Sequence, residues 1–228
     1  MKLFIDTGSV AEVEEIARWG VLAGATTNPS LLAKEQGDPG DIIRRIAELV
    51  DGPTSAEVVS DDADGMVSEG IALAGIDPRV VVKVPFSEAG LEATSRLHAL
   101  GHKINMTLVF SAPQAILAAE AGATYISAFL GRLDDIGMDS VDSLREIVEA
   151  VAGNSTGAQV LAASIRNPIH ATVSATLGAD VATIPGKVLR QMLNHPLTTS
   201  GIETFTADWQ TRPEFAEWLK GLVAANES

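Results

Sequence analysis

A chain of 228 residues, 46% apolar and 20% charged, can bury roughly 70% of its unfolded surface, so one large domain needs neither a disulfide nor a structural metal. Thirty acidic residues against sixteen basic ones leave a formal charge of −14, a field that disfavours nucleic acid and anionic membranes as partners and makes any phosphate site depend on a few concentrated arginines. With no cysteine in the chain, disulfides and thiolate chemistry are both excluded.

The opening MKLFID enters a strand-like run, Lys2–Asp6, with no basic leader and extended apolar segment before it. No apolar stretch approaches the roughly 18 residues of a membrane span, and a cytoplasmic location is expected. Ser9 is the expected cap of an amphipathic stretch over Val10–Trp19. The run Leu22–Thr26 follows, then a helical pattern over Asp41–Leu49, a strand over Thr54–Val59, and a helix over Asp62–Ala74 with Asp61 as its expected cap. Next come Val80–Pro85, a helical Gly90–Leu100, a strand over Lys103–Phe110, and a helix over Ala112–Ala121 with Ser111 as cap and Pro113 in its first turn. Thr124–Phe129, a helical Ser140–Ala152, Gln159–Ala163 and Asp180–Ile184 complete the barrel-sized part, and Gly75, Gly101, Gly122 and Gly153 stand where helices close. The short runs are β-branched or apolar throughout, as strands covered on both faces are. Eight of them alternating with helices at spacings of roughly 20 to 30 residues predict a (β/α)8 TIM barrel with an extra C-terminal helix, a doubly wound open sheet being the alternative. Residues 1–228 read as a single barrel domain in which 195–228 is a helical tail. That tail gathers Trp209, Phe215 and Trp218 in a chain with only 4% aromatics, and it suits capping the barrel or packing on a neighbouring subunit.

Barrels of this kind carry reactive groups at the C-terminal ends of their strands. Those ends hold Asp6, Thr26, Thr27, Asn28, Glu57, Lys83, Asn105, Thr107, Ser127, Arg132, Ser164 and Arg166. Lys83 is the sharpest: in VVVKVP it is flanked by β-branched apolar residues, where an ammonium is costly and desolvation favours the neutral amine. A neutral amine attacks a carbonyl to form a Schiff base, an electron sink for C–C cleavage. The alternative is a lysine paired with Glu57 or Asp6 and unreactive; Lys187, in TIPGK, is the rival nucleophile. Asp6 and Glu57 suit proton transfer, or else a helix cap and a structural ion pair. Arg132 with Ser164 and Arg166 suits a phosphate, late in the strand order. His98, His102, His170 and His195 lack metal-ligand spacing with nearby carboxylates, and no GxGxxG or P-loop pattern occurs.

The segments FIDTGSVAEV, AGATTNPSLL, VVKVPFSEAGLEA, INMTLVFSAPQA, ISAFLGRLDD, LAASIRNP and ADVATIPGKVLRQM resemble, in this order and from about Met1 to Trp209, the transaldolase family. The likeness is to its short branch, which also holds the fructose-6-phosphate aldolases. The resemblance implies a (β/α)8 barrel without cofactor or metal, sugar phosphates as small-molecule partners, and a homo-oligomer, a decamer or pentamer, whose C-terminal helix reaches a neighbour. It implies that Lys83 is the Schiff-base lysine, that Asp6 moves a proton at the C4 hydroxyl, and that Glu57 with Thr107 holds a water. Asn28, Asn105 and Ser127 match positions that bind donor hydroxyls or the intermediate; Arg132, Ser164 and Arg166 match the phosphate set. The aldolase members carry Gln and Tyr where this chain has Glu57 and Phe129, so the pair favours transfer of a dihydroxyacetone unit from sedoheptulose 7-phosphate to glyceraldehyde 3-phosphate, in the non-oxidative pentose phosphate pathway, over simple cleavage of fructose 6-phosphate.

Overall fold

The computed structural model describes residues 1–153 and 155–226. Its strands are β1 (Lys2–Asp6), β2 (Leu22–Thr26), β3 (Thr54–Glu57), β4 (Val80–Pro85), β5 (Ile104–Val109), β6 (Tyr125–Phe129), β7 (Gln159–Ala163) and β8 (Val181–Ile184). Each pairs in parallel with the next, and β8 pairs with β1, so the sheet closes into a barrel and the open-sheet alternative falls. Parallel neighbours need long crossovers. These are supplied by α1 (Val10–Ala17), α2 (Pro29–Leu32), α3 (Pro39–Val50), α4 (Ala63–Ala74), α5 (Glu88–Ala99), α6 (Ala112–Glu120), α7 (Gly131–Asp135), α8 (Ser140–Ala152) and α9 (Pro168–Thr176), and α10 (Gly186–Met192) follows the last strand.

The two-residue period of a strand sorts side chains between the barrel interior and the helical shell. On β4, Val82 and Val84 pack with Met66 and Val67 of α4 and with Ala93 and Leu97 of α5. Val81 instead joins Phe4, Tyr125, Leu161, Ala163 and Val181, all from strands, in a plug inside the barrel. Phe4 meets Tyr125 edge to face at 6.0 Å between ring centroids. Lys83, two residues beyond Val81, therefore points inward above that plug. The helices bury one stripe each: Ile43, Ile46, Ala47 and Val50 on α3, and Leu144, Ile147 and Val151 on α8.

Several boundaries differ from those expected, each for a local reason. β3 stops at Glu57 rather than Val59, because the Val59 and Ser60 N–H groups turn to the Glu69 carboxylate at 2.7 and 3.0 Å. These bonds and the Ser60 hydroxyl hold Glu69 below the usual carboxylate range, against the opposing effect of its burial. Asp62, not Asp61, caps α4, accepting from the Gly65 N–H at 2.8 Å. Ser87 caps α5 and starts it at Glu88, ahead of Gly90. Ser9 and Ser111 hold the N-cap positions of α1 and α6 with no side-chain cap bond. Gly101 and Gly122 take left-handed φ angles of 87° and 95°, whereas Gly75 and Gly153 remain right-handed.

The chain divides into two compact units, the first ending at Leu189 and the second starting at Arg190. The second holds α11 (Pro196–Gln210) and α12 (Pro213–Asn226). The tail expected as one helical core is thus two helices, broken at Pro213, which has no N–H to continue α11 and suits the first position of α12. Within this unit Trp209 packs on Phe215 and Arg212 lies over the Phe215 ring, while Phe205 and Trp218 are exposed. The last two tail residues, Glu227 and Ser228, lie outside the described residues. No described helix is long and apolar enough to cross a membrane.

Candidate active site

A cavity of about 420 Å³ opens at the C-terminal ends of the barrel strands. Its wall takes Asp6 from β1, Thr26 from β2, Glu57 from β3, Lys83 from β4, Thr107 from β5, Ser127 and Phe129 from β6, and Thr183 from β8; Asn28, Arg132 and Ser164 come from the loops and short helices that follow. Of the residues expected at the strand ends, Thr27, Asn105 and Arg166 are not part of this wall.

Strand register assembles the centre. Glu57 pairs with Lys83 across β3 and β4, and Lys83 with Asn105 across β4 and β5. In-register residues of parallel strands project to the same side, so all three face inward. Lys83 is buried, while Lys2, Lys34, Lys103, Lys187 and Lys220 are exposed, which removes Lys187 as a buried rival. Lys83 Nζ lies 3.0 Å from Glu57 Oε2 and donates to the Thr27 carbonyl at 3.1 Å. The ion pair of the unreactive alternative is thus present, but it stands at a cavity wall rather than in a closed core.

Asp6 accepts a hydrogen bond from Thr26 Oγ1 at 2.7 Å, and Thr26 Oγ1 in turn lies 2.6 Å from Thr183 Oγ1. Burial raises the Asp6 carboxyl above its ordinary value; the Thr26 bond and the Lys83 charge pull it down, the Glu57 charge pushes it up, and the net direction is upward. A carboxyl with a raised proton affinity at a cavity wall is suited to take up and return a proton.

Asn105 stands behind the wall, fully buried, giving a hydrogen bond to Ser55 Oγ at 3.0 Å and accepting one from Ser127 Oγ at 2.7 Å. Its amide fixes the Ser127 hydroxyl. Asn28 caps α2, its Oδ1 accepting from the Leu31 N–H at 2.9 Å, so its Nδ2 is the end left for the cavity. The Thr107 hydroxyl is buried with no hydrogen-bond partner among the described residues. Next to it Leu108 adopts a left-handed φ of 61°, where the β5–β6 register shifts. Strain of this kind in a non-glycine residue is concentrated at functional sites.

The other side of the cavity holds Arg132, whose guanidinium lies 5.2 Å from the centroid of the Phe129 ring. Ser164 also takes a left-handed φ, 56°, and its carbonyl accepts from the Gly131 N–H at 3.0 Å. Gly131 admits no side chain: a Cβ there would come 2.5 Å from both Ser164 O and Arg166 Nε. Arg166 lies across Gly131 and closes a two-pronged ion pair on Asp135 at 2.6 and 2.5 Å. His170 ties the same pieces together, accepting from the Arg166 N–H through Nδ1 and reaching Asp134 at 3.0 Å through Nε2.

Thr183 is one of the wall residues that sequence reasoning passed over, with Pro29, Ser30, Leu31, Leu108 and Ala163. Its signal was available: it is the one polar side chain in the VATI run of β8. Leu108 left no signal, since a left-handed leucine is not readable from its neighbours. Comparison with known proteins supplies the family. A family model described as "Transaldolase/Fructose-6-phosphate aldolase" matches residues 3–218. A "Probable transaldolase" of Heliobacterium modesticaldum is 51% identical over 211 residues, covering 92% of this chain and 98% of that protein. One of Thermus thermophilus is 52% identical over 219 residues, covering 92% and 98%. A "Probable transaldolase 1" of Bacillus cereus is 52% identical over 214 residues, covering 94% and 100%. The chain belongs to the transaldolase/fructose-6-phosphate aldolase family.

Proposed function

We propose that this protein is a transaldolase that carries a dihydroxyacetone unit from sedoheptulose 7-phosphate to glyceraldehyde 3-phosphate on a Schiff base at Lys83. The observation that carries the reading is Lys83 itself: a buried lysine at a cavity wall, its nitrogen 3.0 Å from the Glu57 carboxylate. Glu57 takes the ammonium proton, and the amine attacks the C2 carbonyl of the donor. Loss of water leaves an iminium. Asp6 removes the proton of the C4 hydroxyl, the C3–C4 bond breaks into the iminium, and an aldose phosphate departs from the resulting enamine. The enamine carbon then attacks the aldehyde of the acceptor, Asp6 returns its proton to the new alkoxide, and water held by Glu57 and Thr107 releases the product.

Asn28 and Ser127, the latter fixed by Asn105, bind the hydroxyls of the held unit. Arg132, Ser164 and Arg166 take the phosphate, Arg166 sharing or exchanging its Asp135 partner. Phe129 has no hydroxyl with which to help protonate the enamine, so the intermediate waits for an aldehyde. The same reading takes the protein to be a cytoplasmic enzyme of the non-oxidative pentose phosphate pathway. It also takes it to be a homo-oligomer, a pentamer or decamer, in which the tail 195–228 reaches a neighbouring copy; the exposed Phe205 and Trp218 support this.

Borohydride reduction in the presence of donor ketose is expected to label Lys83 irreversibly. Lys83→Ala is expected to lose both label and turnover with its fold intact; full activity in that variant would overturn the mechanism. Without acceptor the wild-type enzyme is expected to stall after one turnover. Continued release of dihydroxyacetone from fructose 6-phosphate would instead identify a lyase, and binding without any reducible imine would identify a non-catalytic sugar-phosphate-binding barrel.

A further inference from the structure

Thr26 and Thr183 sit on the strands that flank β1, and neither is among the residues assigned a role above. Both are buried. A threonine hydroxyl has one hydrogen to give and two lone pairs to receive. Asp6, when ionised, can only accept, so the single hydrogen of Thr26 is committed to Asp6 Oδ1. The 2.6 Å contact between Thr26 and Thr183 then has only one possible direction, with Thr183 as donor. The chain thus runs from β8 through β2 to β1 and ends on one oxygen of one carboxylate.

We propose that Thr183 is a positioning residue for Asp6: it donates to Thr26, orients that hydroxyl onto Oδ1, and leaves Oδ2 as the oxygen that exchanges a proton with the substrate. The proposal rests on the reading of Asp6 as the acid–base group. A hydrogen bond given to a carboxylate favours its ionised form, and a donor that is itself receiving a hydrogen bond is polarised into a stronger one. Thr183 therefore helps keep Asp6 ionised at a buried position, without touching it. The charged groups that act on Asp6 are Lys83 and Glu57, whereas Thr26, which bonds Asp6, and Thr183, which bonds Thr26, are uncharged, so removing Thr183 changes no charge near the site.

The test is Thr183→Val, which keeps the shape and removes the hydroxyl. The acidic limb of the pH profile of kcat/KM is expected to move to higher pH by roughly a few tenths of a unit, and Thr183→Ser is expected to restore it. The protonated-carboxyl infrared band that disappears in Asp6→Asn is expected to titrate with the same displacement. A profile and band unchanged in Thr183→Val, or a displacement that serine does not reverse, would overturn the proposal. Should the valine variant not accumulate folded protein, Thr183→Ala is read by the same two measurements with the same deciding outcomes. If the wild-type enzyme gives no reducible imine, the functional reading fails, while the infrared titration still decides the role of Thr183.

Discussion

Asp6 is a liability for the fold and, on the proposed chemistry, the acid–base group. Its proton affinity is raised above the ordinary value near 3.8, first by burial. A carboxyl so raised contributes stability that is fully present below its unfolded value and lost as pH rises through its folded value. Asp6→Asn removes that loss. Its thermal unfolding is expected to match that of the wild type below about pH 4 and to exceed it increasingly as pH rises, while turnover falls; a variant less stable than wild type at neutral pH would contradict this. Asp6 and Lys83 were legible in the sequence because a charged residue in an apolar run has few innocent explanations. Thr183 and the pairing of Thr26 were not, because threonine is an ordinary strand residue and its presence in a β run says nothing of its partner.

Among the elements, α7 and the turn after β7 bring Arg132 and Ser164 to the cavity wall. α7 is five residues long, too short for a hydrophobic period, and so left no pattern to read, although Arg132 on it was legible as a charge near a strand end. Its position depends on Gly131, where the Ser164 carbonyl and the Arg166 side chain approach the bare Cα. A methyl there meets a backbone oxygen that has little room to yield. Gly131→Ala is expected to displace Ser164 and Arg166 and to lower kcat/KM for phosphorylated donors by about 10- to 100-fold. Borohydride labelling of Lys83 at saturating donor is expected to survive, which separates a phosphate-side defect from loss of the imine. The early end of β3 was equally hidden: Val59 continues the apolar run, but ten residues later Glu69 offers its N–H a better acceptor than the sheet.

For the molecule as a whole, closure into a barrel was the most legible feature, since eight both-faces-buried runs separated by helices leave few other ways to cover every strand. The tail was legible as helical but not as two helices, since the break depends on where α11 runs out of donors at Pro213. If the tail joins copies of the chain, Phe205→Glu combined with Trp218→Glu, both at exposed positions, is expected to lower the sedimentation coefficient; an unchanged value would remove these residues from any interface. The plug of Phe4, Val81, Tyr125, Leu161 and Val181 beneath Lys83 has a kinetic consequence. It gives the chamber a floor that closes the lower end of the barrel, so reactants come and go where the strands finish. On the proposed chemistry the departing aldose phosphate and the incoming aldehyde are both drawn to the same enamine at that end, and each acts as a competitive inhibitor of the other.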